Sequence, residues 1–184
     1  MNKKRFIVLS GFILIAALSR IIPHPYNFAP MGAMSLFGAA YFADKKFSFL
    51  VPLAAFFISD LLVNNLLYAN FYGGFTLFTP GFYWMYGSIA LIVLAGVFIL
   101  KKINVKTVVA GSLSASIIFF LVTNFGSWIG NPMYPMGIEG LLMSYTAGIP
   151  FFHYTVIGDL FYSGVMFGAF EYAKQKTPAL QIAK

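Results

Sequence analysis

Asp60 and Asn64 stand four residues apart in an otherwise apolar run. That spacing puts both on one face of a helix. Asp159 lies in a second apolar run, with His153 toward one end of it; Asn124 lies in a third, and Arg20 closes a fourth. An ionisable side chain in such a run is costly, so it faces the bundle interior and meets a partner or a ligand. Two carboxylates sharing a proton could carry out aspartyl hydrolysis. The contexts here are Ile58-Ser59-Asp60 and Ile157-Gly158-Asp159, and with Val156 in place they lack the Tyr-Asp and Gly-x-Gly-Asp signatures of that chemistry. Neither a phosphate-cradling Walker loop nor a His-Glu-x-x-His metal motif occurs. The chain has no cysteine, two histidines and five acidic residues, which leaves thiol chemistry without a nucleophile and acid–base catalysis with few candidates. The expectation is binding rather than catalysis: no enzyme, no cofactor, no resident metal. The candidate substrate-binding set is Arg20, His24, Asp60, Asn64, Asn124, Tyr145 and Asp159.

The elements that must position these residues follow from composition. Of 184 residues, 60% are hydrophobic and only 9% charged, too few charges to clothe a water-facing surface. Six apolar runs are long enough, or nearly so, to cross a bilayer: 6–22, 29–43, 47–68, 82–100, 107–129 and 149–172. The second is short, and on length alone it reads as a re-entrant segment. Charge argues that it crosses. Lysine and arginine gather in cytoplasmic loops. If all six runs cross, Lys3, Lys4, Arg5, Lys45, Lys46, Lys101, Lys102, Lys106, Lys174, Lys176 and Lys184 share one side, and only Arg20 does not. The fold class expected is an all-α polytopic membrane protein, a single domain over 1–184 with six spans and both termini cytoplasmic, in a bacterial inner membrane. The net charge of +7 then records orientation and attraction to the bilayer surface, not nucleic-acid binding. A competing reading takes Lys3–Leu18 as a signal peptide, with Ala17-Leu18-Ser19 as a cleavage site.

The two sides differ. The basic connections are short. The opposite ones are Pro23–Asn27, Ala69–Gly81 and Gly130–Gly148, the last two rich in Gly, Pro and aromatics. Loops of that length often carry function. The polar residues of the spans all fall toward that end or near the midplane, which suggests a polar cavity roofed by the three loops, with Tyr26, Tyr72, Tyr83, Trp84, Trp128, Tyr134 and Tyr145 as candidate walls. The plainer alternatives stay open: the loops are connectors, and Arg20 pairs with Asp60 or Asp159 to tie helices together. Gly164-x-x-x-Gly168 and the small residues between Gly32 and Ala40 mark close helix packing, within the chain or against a partner.

Several segments together resemble a known family. They are Arg20–Pro30, Ala33–Phe42, Val51-Pro-Leu with Ile58-Ser-Asp60, Phe119-Phe120 with Thr123-Asn-Phe125, Tyr134-Pro135, and Gly148-Ile-Pro-Phe-Phe with Gly158–Tyr162. Over about 20–168 the chain is similar to a family of proposed bacterial membrane transport proteins. These resemble the substrate-binding S components of energy-coupling-factor (ECF) vitamin transporters, and most nearly the solitary S-component-like proteins that carry cobalamin. The resemblance implies a six-helix bundle and a substrate site built from the loops after spans one, three and five. Conventional S components dock an energising module through an Ala-x-x-x-Ala face on span one. Here that span reads Ser10-Gly-Phe-Ile-Leu-Ile-Ala-Ala17, which disfavours an ECF module as a partner. The cobalamin-carrying relatives offer a cysteine to cobalt, and this chain has none. If the substrate is a corrinoid, His24 is the candidate cobalt ligand.

The sequence therefore leads to a small-molecule, vitamin-like uptake protein, with cobalamin as a candidate substrate. The alternatives are a membrane scaffold or assembly partner and, less favoured, an intramembrane enzyme.

Overall fold

The computed structural model describes residues 2–181. Among them there are seven α-helices and no strand: α1 (Lys3–Leu18), α2 (Met31–Tyr41), α3 (Lys45–Leu62), α4 (Ala69–Tyr72), α5 (Phe82–Ile99), α6 (Val105–Gly130) and α7 (Ile138–Lys176). Three stretches are long and apolar enough to cross a membrane: Lys45–Leu67, Phe82–Ile99 and Val105–Gly130. Large apolar side chains stand exposed along them and their neighbours, among them Leu50, Leu91, Phe98, Ile117, Leu121, Phe161 and Val165. A surface so continuously apolar is foreign to a protein bathed in water. These features mark a membrane-associated protein.

The bundle is organised around α2. This helix has 11 residues, so it rises only about 16 Å, roughly half the hydrocarbon thickness. Ten of the 11 are buried. Helices α1, α3, α5, α6 and α7 all pack on it. Its small residues permit that approach: a side chain at Gly38 would meet Pro52 of α3, and Ala39 and Leu36 fill the spaces opposite Gly96 of α5 and Gly111 of α6. Phe37 sits fully buried among Phe12, Tyr41, Phe167 and Phe170. Within the run 29–43, α2 is thus a core helix, with neighbours on every side, where a lipid-exposed span would show one apolar face to the bilayer.

A helix that starts inside a bundle must have its first N–H groups satisfied there. Asp159 of α7 does this. Its carboxylate lies against the backbone N–H groups of Gly32 and Ala33 and accepts the Ser116 hydroxyl at 2.7 Å. A β-carbon at Gly32 would fall on that carboxylate, so only glycine fits. Ser116 belongs to α6, and Ser112, one turn earlier, meets Ser163 of α7 at 2.9 Å. One polar thread therefore ties α2, α6 and α7.

The ends of the bundle differ as the loop compositions indicate. At the basic end, Asn2, Asp44 and Asn104 cap α1, α3 and α6 with their side chains. Arg5 is buried rather than spread on the surface: its guanidinium bonds the carbonyls of Leu180 and, at 3.4 Å, Tyr41. Tyr41 donates to Glu171 at 2.6 Å, and Lys174 pairs with the same carboxylate at 2.5 Å. Lys184 lies outside the described residues. At the other end α7 begins at Ile138, so the connection expected over Gly130–Gly148 shrinks to 131–137 and the helix runs on through Pro150 for 39 residues. Proline removes one ladder bond, but the turn before it is held on α6: Ser144 donates to the Asn124 carbonyl at 2.7 Å and Tyr145 to the Leu121 carbonyl at 2.9 Å. Gly164 and Gly168 meet nothing within 4 Å, so packing inside the chain does not account for that pair.

Replacing Asp159 by Leu leaves the Gly32 and Ala33 N–H groups and the Ser116 hydroxyl without their acceptor inside the bundle. The expected loss is about 3 kcal/mol in unfolding in detergent micelles, with Asp159→Asn losing less because an amide oxygen remains. Unchanged stability of the Leu variant would mean that α2 is anchored elsewhere.

Candidate functional site

Two cavities open at the end of the bundle away from the basic loops. The larger has a volume of about 840 Å³. All three connections at that end reach it: Asn27 from the first, Pro80 and Gly81 from the second, Asn131, Pro132 and Tyr134 from the third. Its walls are Trp84 and Met85 on α5, Phe119, Phe120, Thr123 and Asn124 on α6, and Ala147, Phe151 and Thr155 on α7. None of its lining residues carries a charge. The α6 residues recur at 119, 123, 126 and 127 and at 120 and 124, the spacing of one helical face. Trp84 lies flat on Gly126, where any side chain would collide with the indole ring, and its Nε1–H is buried without a partner. Asn124 is fixed from both sides: its Nδ2 donates to the Phe120 carbonyl at 2.8 Å, and its side-chain oxygen lies against Gly148.

The smaller cavity, about 270 Å³, lies between the turn that follows α1 and the end of α3. Arg20 and Asp60 form its charged wall, with Nη2 to Oδ1 at 2.8 Å. The guanidinium also donates to Ser59 at 2.6 Å and lies over the Phe56 ring, 4.4 Å from its centroid. Between them these contacts hold a guanidinium that is only 11% exposed. Asn64 lines the same cavity and is 5% exposed, and its Nδ2 has no hydrogen-bond partner. Residues 63–67 form a π-helical turn that continues α3, a rare widening that is frequent at functional sites. Tyr68, Phe71, Tyr72 and Thr79 complete the wall. Burial pushes the Tyr72 phenol above its ordinary value, and the Asp60 carboxylate adds to the shift. Met85 lines both cavities, so they are neighbours across one side chain.

The sequence-derived set divides accordingly. Arg20, Asp60 and Asn64 come together at the small cavity, and Asn124 stands in the large one. Of the two partners open to Arg20, Asp60 is the one it meets. His24 does not reach either cavity. It is exposed, and its Nδ1 folds back to the Pro25 carbonyl at 3.0 Å, so the geometry gives no support to a role as cobalt ligand. Tyr145 spends its hydroxyl on the Leu121 carbonyl, and Asp159 is consumed by the start of α2. Of the aromatics expected as walls, Tyr83, Trp84 and Tyr134 line the large cavity and Tyr72 the small one, while Tyr26, Trp128 and Tyr145 line neither. Among the described residues no group of three or more His, Asp or Glu side chains is placed to hold a metal ion.

One structural residue escaped the sequence reading. Asn65 donates from Nδ2 to the carbonyls of Leu61 and Thr76, at 2.8 and 2.9 Å, and accepts the Thr76 N–H at 2.7 Å. It pins the loop after α4 beside the small cavity. Its signal was present as the second residue of Asn64-Asn65, but an amide beside a candidate ligand does not announce which of the two faces the backbone.

With this geometry in view, the comparisons with known proteins give one match: a family model spans residues 1–180. The chain belongs to DUF6580, a family of unknown function. No curated protein and no solved structure matches it. The membership covers nearly the whole chain, so both cavities and the α2 core lie inside the family's common unit.

Removing the Asn65 amide should free the loop. In Asn65→Ala the Thr76 amide is expected to exchange with deuterium roughly tenfold faster or more, the change that losing about 1–3 kcal/mol of local hydrogen bonding produces. An unaltered exchange rate at Thr76 would show that other contacts hold this loop.

Proposed function

We propose that this DUF6580 protein is a small-molecule uptake protein of the S-component type, which binds a vitamin-sized solute at the end of the bundle opposite its basic loops. The observation that carries the reading is the uncharged cavity of about 840 Å³ into which all three connections of that end converge. Ligand sites tend to be concave and mostly apolar, with a few placed polar groups and a volume of roughly 300–1,000 Å³. Here the aromatic walls offer stacking area, and Asn124, Thr123 and the unpartnered Trp84 N–H offer orientation. The resemblance of the sequence to S components supports the same reading. Corrinoids remain one candidate class, without His24 as cobalt ligand.

The same proposal includes six crossings, with both termini and the basic loops in the cytoplasm of a bacterial cell and the cavity facing outward. Its support is the gathering of lysines at one end and their absence from the loops at the other. On this reading α2 crosses within the protein rather than through lipid, its short length made up by the segments that lead into and out of it. No ECF module is included, since span one lacks the small-residue face that docks one. A scaffold would have no use for a hollow end, and an enzyme would need a free acid or base, whereas the one carboxylate in either wall, Asp60, is paired with Arg20.

Two measurements test this. The first is native mass spectrometry of the detergent-solubilised protein from cells grown in rich medium. A stoichiometric small molecule is expected in the wild type, bound roughly tenfold or more weakly in Ala147→Trp, which fills the large cavity. A wild type that carries nothing and takes up none of a panel of vitamins would favour the scaffold. The second uses the absence of native cysteine. A membrane-impermeant maleimide should label Pro132→Cys in intact spheroplasts and reach Lys102→Cys only after lysis. Labelling of Lys102→Cys in sealed cells would reverse the orientation.

A further inference from the structure

The small cavity adjoins the large one across Met85, yet its chemistry is different. Its only charges are Arg20 and Asp60, and they neutralise each other at 2.8 Å. A third charge brought into the cavity would find no free counter-ion and would be desolvated at a loss. That excludes carboxylates, phosphates and ammonium groups as preferred occupants. An apolar occupant fits no better, because the Asn64 Nδ2 is buried without a partner and leaving such a donor unmade is costly. The wall asks for an uncharged acceptor. It also offers an acceptor of its own: Arg20 occupies Oδ1 of Asp60, which leaves Oδ2 to receive a hydrogen bond. One small group meets both demands on adjacent atoms. In a carboxamide the carbonyl oxygen accepts and the N–H donates. The π-helical turn over 63–67 sits where Asn64 enters the wall.

We propose that the cavity formed by Arg20, Asp60 and Asn64 is a carboxamide-binding subsite that holds an uncharged amide of the solute whose body lies in the large cavity. This rests on the reading of that end as a solute site and adds the chemical class that the solute must carry. In the bound geometry the amide carbonyl accepts from Asn64 Nδ2, and the amide N–H donates to Asp60. Arg20 acts as a positioning residue, since it holds the Asp60 carboxylate in place and ionised beside a neutral ligand.

The test uses three fragments of one shape: benzamide, benzoate and benzylamine, titrated by ligand-observed NMR against the full-length protein in detergent. Benzamide should bind the wild type about tenfold or more tightly than either charged analogue. Asn64→Leu should erase the preference. Asn64→Asp, which has the same shape but turns the donor into a carboxylate, should reverse it in favour of benzylamine. A wild type that binds none of the three, or binds all alike, overturns the proposal, as does an Asn64→Asp protein that keeps the benzamide preference. The outcome is separable from that of the function itself. A solute held in the large cavity without any fragment preference removes only the subsite, whereas a fragment preference in a protein that carries no solute removes the uptake reading and leaves the subsite standing.

Discussion

Asp159 meets the start of α2 in the middle of the bundle, where no water is at hand. A helix beginning there exposes N–H groups and the positive end of its dipole, and the bilayer offers nothing to satisfy them. The Asp159 side chain supplies the acceptor, and Ser116 holds it in place. Everything else leans on this contact. With its N-terminus secured, α2 can be short, small-sided and buried, and five helices can close around it. Because α2 is short, it occupies only part of the bundle's height. The chain that feeds it, 22–30, loops across the far end and places Asn27 in the wall of the large cavity. The close passage of Phe28 and Ala29 over Gly158, one residue before Asp159, belongs to the same arrangement.

The other polar residues follow a similar economy at both ends. At the basic end Arg5, Tyr41, Glu171 and Lys174 knit α1, α2 and α7 together with the turn at 178–180. At the cavity end Arg20 draws α1 to α3 through Ser59 and Asp60. Almost every buried polar side chain has a partner. Among the described residues the exceptions are five: Ser10, Ser48 and Tyr86, which line neither cavity, and Asn64 and Trp84, which each line one.

Periodicity made a good part of this readable in the sequence. The i, i+4 spacing of Asp60 and Asn64 predicts a shared face, and they do share a cavity. Loop composition singled out the three connections that converge on the large cavity. What stayed hidden was settled by long-range packing. A buried carboxylate can satisfy a ligand or a helix start equally well, and only the fold decides, so spacing alone groups Asp159 with the binding residues. The direction of His24 depends on how a Pro-His-Pro turn leaves α1, which spacing does not encode. Residues 138–148 have the Gly, Pro and aromatic neighbours of a loop, yet bonds to α6 from Ser144 and Tyr145 hold them helical. Arg5 looked like one of a set of orientation charges, because burial of a guanidinium depends on carbonyls that are 36 and 175 residues distant.

The Arg20–Asp60 pair has a consequence for energetics as well as for shape. A single buried charge would feel the membrane potential at about 2.3 kcal/mol per 100 mV, and any shift of its helix along the field would do electrical work. Two opposite charges held 2.8 Å apart move together and cancel. The walls of the large cavity add no charge of their own. Movement of the Arg20–Asp60 pair as a unit therefore carries no net charge.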